Sequence, residues 1–259
     1  MRFAVMVCAL VLVLSRMTGA PVSMAVFESI KASGDVAPST DPNLAFWTAA
    51  HPVYADRGTF GQPQAHYRTE IRSRWTGNNL YFLFVCPYEE LNLKPSPATT
   101  TETYGLWNWD VAEVFIGSDF RNIRRYKEFE ISPQGEWIDL DIDLTKPHHE
   151  DGWKWNSGFA VAARIDAGAK IWYGAMRIPF SALQSRPPAS NETFRVNLFN
   201  LGFPTAAGQL LADFGFRADN FSTGDVKIGD LIPSICGIDH ATVANNHRAH
   251  GWGAQAAGL

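Results

Sequence analysis

Apolar and polar residues alternate with a period of two along most of the chain between residues 67 and 201. This alternation is typical of β-strands that bury one face, and Gly, Pro and Asn residues interrupt it at short intervals. We predict eight strands and, directly after Pro179, one short helix over residues 180–184. The predicted strands cover residues 69–75, 80–86, 109–116, 126–132, 136–144, 159–165, 171–178 and 194–200.

The spacing of these strands indicates the fold class. A βαβ fold needs helical patterns of roughly 10–15 residues between its strands, and the sequence has none. Many short, closely spaced strands predict an all-β fold, an antiparallel, jelly-roll-like β-sandwich with one short helix. We place this domain at residues 41–230. Residues 26–40 are a predicted N-terminal linker, and residues 231–259, rich in Ala, Gly, Asn and His, are a predicted poorly ordered tail.

The N-terminus has the pattern of a secretory signal. Met1 and Arg2 precede an uncharged apolar run that ends at Leu14. This run is too short to span a membrane, which takes about 20 residues. The small residues Ser23 and Ala25 favour cleavage after Ala25, so residues 1–25 are a predicted signal peptide. We therefore expect a secreted or periplasmic protein whose mature form has no membrane span.

Composition narrows the possible partners. Aromatic residues make up 13% of the chain, including nine Trp, which excludes disorder along its whole length. The formal net charge of −4 argues against a nucleic-acid partner, because no net positive field attracts phosphates. Cys86 and Cys236 remain after the predicted cleavage. They can pair in an oxidising compartment, and a buried free thiol at Cys86 is the alternative.

One predicted hairpin concentrates acidic residues. Pro133 and Gly135 mark its turn. A two-residue loop would place Glu128 opposite Asp139 and Glu130 opposite Trp137, with the acids of both strands on one face. The acidic residues of that face would be Glu128, Glu130, Asp139, Asp141 and Asp143. Like charges directly opposed destabilise a sheet by up to ~1 kcal/mol.

Three kinds of interaction could offset the repulsion between these carboxylates. Ca²⁺ takes six to eight oxygen ligands, so it is one candidate, with Asp139, Asp141 and Asp143 as its predicted ligands beside Glu128 and Glu130. Basic side chains that reach over the sheet edge are a second candidate. Plain solvation of the acidic face is the third, and the sequence leaves the three open.

A second group of residues combines aromatic and acidic side chains. Trp107 and Trp109 precede the part of a predicted strand that carries Glu113. Indole packs well on the C–H face of a sugar ring, and a nearby carboxylate accepts hydrogen bonds from sugar hydroxyls. Sugar binding is therefore one interpretation, and burial of both Trp residues in the core is the alternative. Glu113, Glu128 and Glu130 are also of the residue type that supplies the carboxylate pair of a glycoside hydrolase.

Three stretches together resemble the family 9 carbohydrate-binding modules and their stand-alone bacterial relatives. They are residues 107–116, WNWDVAEVFI, residues 126–137, YKEFEISPQGEW, and residues 176–183, MRIPFSAL. The resemblance covers roughly residues 41–203. It implies a β-sandwich that binds a sugar end between two aromatic walls without cleaving it, with bound calcium supporting the fold. Trp107 matches the first wall, and Glu113 matches the acid that binds sugar hydroxyls.

The sequence departs from the family pattern in two places. In some members of the family, a basic residue that contacts the sugar occupies the position that corresponds to Glu130 in this sequence. The second wall should follow the last predicted strand, but residues 210–230 contain no Trp. The aromatic residues that could replace it are Phe203, Phe214, Phe216 and Phe221.

From these observations we predict non-catalytic binding of carbohydrate, a plant-type polysaccharide or oligosaccharide, with calcium as a structural cofactor. The predicted ligand-binding residues are Trp107, Trp109, Glu113, Glu128 and Glu130. One alternative is a glycoside hydrolase, or an accessory part of one, in carbohydrate catabolism. A second alternative is an envelope structural module whose sugar site has decayed.

Overall fold

A computed structural model describes residues 27–56, 67–117, 122, 124–190, 192, 194–202 and 212–216. The predicted signal peptide, residues 1–25, and the predicted tail, residues 231–259, lie outside the described residues, as do Phe203, Phe221 and Cys236. None of the helices in the described part of the chain has the length and apolar character needed to cross a membrane.

The described residues form eleven strands and two short α-helices. The strands are β1 (Ile30–Lys31), β2 (Val53–Ala55), β3 (Thr69–Trp75), β4 (Asn79–Pro87), β5 (Val111–Gly117), β6 (Arg125–Ile131), β7 (Trp137–Asp143), β8 (Ala160–Asp166), β9 (Ile171–Pro179), β10 (Arg195–Gly202) and β11 (Ala212–Phe216). The helices are α1 (Ala45–Thr48) and α2 (Phe180–Leu183). Two 3₁₀ segments, Leu106–Asn108 and His149–Lys154, lie before β5 and after β7, respectively.

The strands form two sheets, which confirms the predicted antiparallel β-sandwich. The first sheet has six strands in the order β1-β3-β4-β9-β8, with β2 also paired to β3, and the second has five in the order β11-β10-β5-β6-β7. All pairs are antiparallel except β1 with β3. The eight predicted strands are β3 to β10, and the predicted helix is α2. The short elements β1, β2 and α1 were not predicted, because two to four residues cannot display a period. The strand β11 was not predicted either, since it follows the last stretch of alternating residues that we identified.

The core lies between the two sheets, and β4 is buried on both of its faces. Phe82 and Phe84 of β4 belong to the inter-sheet core, together with Val114 of the second sheet. Tyr81 and Leu83, which alternate with them, lie under Trp47 of α1 on the opposite face. This double burial explains why residues 80–86 are nearly all apolar.

The segment predicted to be a linker, residues 26–40, packs against the first sheet from Phe27 onward. Phe27 is buried in the inter-sheet core, and β1 pairs with β3. The Asp35 carboxylate accepts hydrogen bonds from the side-chain amides of Asn78, at 2.7 Å, and Asn79, at 2.9 Å. These hydrogen bonds, with one from Thr76, lower the pKa of Asp35 to about 2. The segment is therefore attached to the β3–β4 turn by an ionised carboxylate.

The hairpin between β6 and β7 turns through three residues. Ile131 lies opposite Trp137, and the Ser132 N–H donates to the Glu136 carbonyl oxygen at 2.9 Å. Gly135 has a φ of 86°. A three-residue loop ending in a left-handed residue is a common hairpin connection, and glycine is favoured there because it has no Cβ. The predicted two-residue loop is therefore wrong, and the true register differs from it by one residue.

This shift places apolar residues of β7 beside the glutamates of β6. Glu128 lies opposite Leu140, and Glu130 lies opposite Ile138. The predicted partners of these two glutamates were Asp139 and Trp137, so both predicted pairs are wrong. A shift of one residue moves every side chain of a strand to the other face, because side chains alternate with a period of two.

The aspartates of β7 consequently lie on the face turned toward the first sheet. Asp139 lies opposite Phe129, whose ring is part of the inter-sheet core. Asp141 and Asp143 follow Asp139 at intervals of two residues and share its face. The prediction that these aspartates lie beside Glu128 and Glu130 is therefore wrong.

Candidate functional site

Three glutamates meet on the outer face of the second sheet, the face turned away from the first sheet. Glu113 of β5 lies directly opposite Glu130 of β6, and Glu128 lies two residues before Glu130 on the same face. One carboxylate oxygen from each lies within 4.8 Å of the others, and all three side chains are buried. We call these residues the glutamate cluster.

Burial raises the pKa values of the two β6 glutamates. The pKa of Glu130 lies well above its ordinary value, first because of desolvation and then because of the charges of Glu113 and Glu128. Desolvation raises the pKa of Glu128 to about 7, and a hydrogen bond from Glu130 opposes this rise. Glu130 therefore holds a proton more strongly than an ordinary glutamate, and in its protonated form it donates a hydrogen bond to Glu128. Apart from Glu128, no described residue provides a hydrogen-bond partner for either Glu130 oxygen.

Apolar side chains surround the glutamate cluster and explain its desolvation. Ile138 and Leu140 lie opposite Glu130 and Glu128 on β7 and are fully buried. On the other side, the half-buried rings of Phe115 and Phe199 lie 5.3 Å apart between centroids. The Tyr126 ring extends this row, 5.8 Å from Phe115.

A second group of rings packs on the same face of the sheet. Trp107, in the turn Leu106–Asn108, is only 2% exposed and packs in one cluster with Leu140. Its ring contacts those of Tyr104, at 5.2 Å, and Trp153, at 6.4 Å between centroids. Tyr104 itself is 61% exposed. We call Tyr104, Trp107 and Trp153 the aromatic cluster, and Tyr104 is its accessible ring.

Gly152 allows the turn His149–Lys154 to pack directly on β7. A Cβ at Gly152 would lie 1.8 Å from the carbonyl oxygen of Asp141, so any side chain there would push the turn away. The same turn carries Trp153, which contacts both other rings of the aromatic cluster. The position of the aromatic cluster therefore depends on this close backbone contact.

The structure brings together four of the five predicted ligand-binding residues. Glu113, Glu128 and Glu130 form the glutamate cluster, and Trp107 shares their face. Trp109 is half-buried just before β5, where its backbone N–H donates to the Leu106 carbonyl oxygen at 3.0 Å.

The three aspartates predicted as calcium ligands have separate partners. Asp139 accepts hydrogen bonds from the backbone N–H, at 3.0 Å, and the hydroxyl of Ser157. The partner of Asp141 is Lys127. Asp143 pairs with Arg125 at 2.8 Å. Within the described residues, only the glutamate cluster brings three possible ligand atoms within 4.8 Å of one another. Calcium binding at the aspartates stays a prediction.

Cys86 is fully buried in β4, opposite Trp172 of β9. Desolvation raises the pKa of its thiol well above the ordinary value. Because Cys236 lies outside the described residues, its pairing with Cys86 stays a prediction.

Sequence analysis missed several aromatic residues of the outer face. Phe115 could have been found, because it follows Glu113 by two residues in a predicted strand and therefore shares its face. Phe199 required knowledge of the pairing between β5 and β10, which places it opposite Glu113. Of the predicted second-wall candidates, Phe214 and Phe216 lie in β11 at register positions opposite Asn200 and Leu198.

Comparison with known proteins shows that this chain is similar in fold to solved structures. No protein-family model and no curated protein sequence matches the chain. The crystal structure of a "putative carbohydrate-binding protein" from Bacteroides uniformis ATCC 8492 superimposes with a TM-score of 0.56 at 12% sequence identity. The match covers 79% of this chain and 96% of that one. The two proteins share a fold.

Two further similar structures come from Caldicellulosiruptor kristjanssonii. Both are of a carbohydrate-binding module of family 9, one in complex with glucose and one in complex with cellotriose. Each has a TM-score of 0.49 and 13% sequence identity. The matches cover 73% and 74% of this chain, and 85% and 83% of the other chains.

Proposed function

We propose that this protein binds carbohydrate, as an oligosaccharide or polysaccharide, on the outer face of the second sheet and does not cleave it. The observation that carries the proposal is the presence of an exposed aromatic ring, Tyr104, on the same sheet face as three buried carboxylates. The description of the Bacteroides uniformis protein, which shares the fold, names carbohydrate as its ligand and supports the proposal.

Each group in the site has a role that suits a sugar. The exposed Tyr104 ring offers a flat surface for the C–H face of a pyranose. Trp107, which is buried, supports Tyr104 at a centroid distance of 5.2 Å and keeps its orientation. The carboxylates of the glutamate cluster provide acceptors for sugar hydroxyls, with the rings of Phe115 and Phe199 beside them.

The geometry favours binding over hydrolysis. The two carboxyl groups of a glycoside hydrolase flank the bond to be cleaved, at about 5–5.5 Å in retaining and about 6.5–9.5 Å in inverting enzymes. In the glutamate cluster, the adjacent acids Glu128 and Glu130 are hydrogen-bonded to each other. A glycosidic oxygen does not fit between Glu128 and Glu130, because these two groups are already in contact.

Calorimetric titration of the chain from residue 26 onward tests the proposal. The ligands are glucose, xylose, cellobiose and xylobiose, and we expect saturable heat with a Kd in the micromolar to millimolar range for a disaccharide. Tyr104→Ala should remove this heat. Leu44→Ala is the matched control, because Leu44 is also an exposed apolar side chain, at 41%, but lies beside α1 on the first sheet.

Three results would contradict the proposal. The first is no heat with any sugar from protein that circular dichroism shows to be folded. The second is equal binding by Tyr104→Ala and the unchanged protein. The third is release of reducing sugar from xylan or glucan, which would replace a binding role with hydrolysis.

A further inference from the structure

Asn197 of β10 places a side-chain amide on the outer face of the second sheet. Its neighbours Val196 and Leu198 belong to the inter-sheet core, so Asn197 points to the opposite face. Asn197 is 8% exposed, and within the described part of the chain its side-chain amide makes no hydrogen bond. Asn200, on the inner face of the same strand, instead donates to the Thr69 hydroxyl at 2.8 Å. Since buried polar side chains normally have a partner, the Asn197 amide indicates a group that a ligand supplies.

Asn197 stands at one end of a row of side chains that crosses the second sheet. In the strand order β10-β5-β6-β7, directly opposed residues of the row are Asn197, Phe115, Glu128 and Leu140. Neighbouring strands lie about 4.8 Å apart, so the row is about 14 Å long. This length exceeds that of one sugar ring, and the row therefore has room for more than one unit of an oligosaccharide.

Aromatic rings lie at both ends of this row. At the β7 end, Trp107 packs in one cluster with apolar residues of β7 and supports the exposed Tyr104 ring, 5.2 Å away between centroids. At the β10 end, the half-buried rings of Phe115 and Phe199 lie beside Asn197, with a centroid distance of 5.3 Å. Aromatic faces and edges both pack on the C–H groups of a sugar. The outer face therefore offers two separate places for a sugar ring, with carboxylates between them.

Asn197 also supplies a hydrogen-bonding capacity that the glutamate cluster lacks. An ionised carboxylate only accepts hydrogen bonds, whereas an amide has two N–H donors and a carbonyl acceptor. A sugar hydroxyl both donates and accepts. Neighbouring hydroxyls of one sugar unit can thus donate to a carboxylate and accept from Asn197, which would satisfy the buried amide.

We propose that Asn197 binds the ligand in a second sugar subsite, and that the ligand is a linear oligosaccharide lying across the second sheet from β7 to β10. The first subsite is at Tyr104, and the second is formed by Phe115, Phe199 and Asn197. This inference rests on the proposed function. It departs from the resemblance to the family 9 modules, which implies a single sugar end held between two aromatic walls.

Calorimetric titration with sugars of increasing length tests the number of subsites. The ligands are glucose, cellobiose, cellotriose and cellotetraose, with xylose, xylobiose and xylotriose as a second series. A monosaccharide can contact only one end of the row, so we expect the affinity to rise more than about tenfold from the monosaccharide to the trisaccharide. It should then level off, because a longer chain extends beyond the row.

Two substitutions at Asn197 separate sugar binding from packing. Asn197→Ala should lower the affinity for the trisaccharide to about that for the monosaccharide, which binds at Tyr104 and should be unaffected. Asn197→Leu keeps the volume of the side chain and should have the same effect on the trisaccharide. It should not lower the midpoint of thermal unfolding, because the amide has no hydrogen bond to lose. Asn43→Ala, at an exposed position just before α1, is the matched control and should bind normally.

The outcomes distinguish failure of this inference from failure of the proposed function. Saturable binding with equal affinity for the monosaccharide and the trisaccharide would overturn the second subsite and leave the proposed function in place. Unchanged trisaccharide affinity in both Asn197→Ala and Asn197→Leu would also overturn it. An equal loss of affinity for both sugars in these variants would place Asn197 in the first subsite and overturn it too. No heat with any sugar from the folded protein would contradict both proposals.

Discussion

Glu113 and Glu130 lie directly opposite each other on β5 and β6, and both are buried. Two like charges in this position would destabilise a sheet by up to ~1 kcal/mol even at an exposed site, and the repulsion contributes to the raised pKa of Glu130. Here the surrounding Ile138 and Phe199 side chains remove water that would screen the repulsion. The protein therefore keeps a destabilising pair of acids at a site where apolar residues would be more stable, as functional sites commonly do.

Removal of one of these acids should stabilise the metal-free protein. In the presence of a chelator at pH 8, Glu130→Gln should raise the midpoint of thermal unfolding by roughly 2–4 °C, equivalent to about 1 kcal/mol for a domain of this size. Differential scanning calorimetry measures the shift. Glu90→Gln, at an exposed position, is the control and should change nothing. A lower midpoint for Glu130→Gln under these conditions would show that the buried carboxyl is stabilising.

Tyr104 should contribute mainly to sugar binding, and Trp107 mainly to the stability of the fold. Tyr104→Ala should abolish sugar binding and change stability by no more than about 1 kcal/mol, because Tyr104 is mostly exposed. Trp107→Ala should destabilise the fold by about 3–5 kcal/mol, because it leaves a cavity under the aromatic cluster. Urea unfolding monitored by circular dichroism, combined with sugar titration, distinguishes the two. Full stability of Trp107→Ala would show that its ring is not a packing element.

Gly135 should be required for the register of the β6–β7 hairpin. Gly135→Ala should cost about 1–2 kcal/mol, because φ at this position is 86° and a Cβ there is unfavourable for an L-residue. Gly135→Asn should cost less, since asparagine tolerates the left-handed region better than alanine does. Gly77→Ala is the control, because a Cβ at Gly77 meets no atom within 4 Å and its φ is not in the left-handed region. Equal stability of the two alanine variants would contradict this role.

Glu102 should make stability depend on pH. Desolvation, together with the charge of Asp139, raises the pKa of Glu102 from 4.5 to about 7. The folded state then binds more protons at Glu102 than the unfolded state does between these values, so the contribution of Glu102 to stability is complete below about pH 4.5 and is lost as pH rises to about 7. Glu102→Gln should reduce the difference in unfolding midpoint between pH 5 and pH 8. The same difference in the variant and the unchanged protein would exclude this contribution.

The strands could be predicted because their signal is local. Residues 69–75 were predicted with the bounds that β3 has, since alternation of side chains between two faces is visible in a short window of sequence. The antiparallel sandwich followed from the number and spacing of such windows. β1 and β2 escaped prediction because their two and three residues carry no periodic signal and are strands only through pairing with β3.

The sequence predicted which residues belong to the candidate site, but it did not predict how those residues pack against one another. Trp107 and Glu113 were identified as a pair from their spacing, and both lie on the outer face of the second sheet. Their burial could not be predicted, because Trp107 is covered by Tyr104 and Trp153, and the position of Trp153 depends on the contact of Gly152 with β7. The accessible ring, Tyr104, sits in a loop where sequence patterns do not report exposure.

The sequence by itself determined that the chain forms a β-sandwich, that β3 to β10 are strands, and which side chains alternate within each of them. These properties depend on the order of apolar and polar residues in one strand at a time. Only the tertiary structure decided that Glu130 meets Glu113 rather than the aspartates of β7, and that Asp139 faces the first sheet. The physical reason is the single left-handed residue Gly135 in the hairpin turn, because one additional loop residue reverses the face of every side chain in β7.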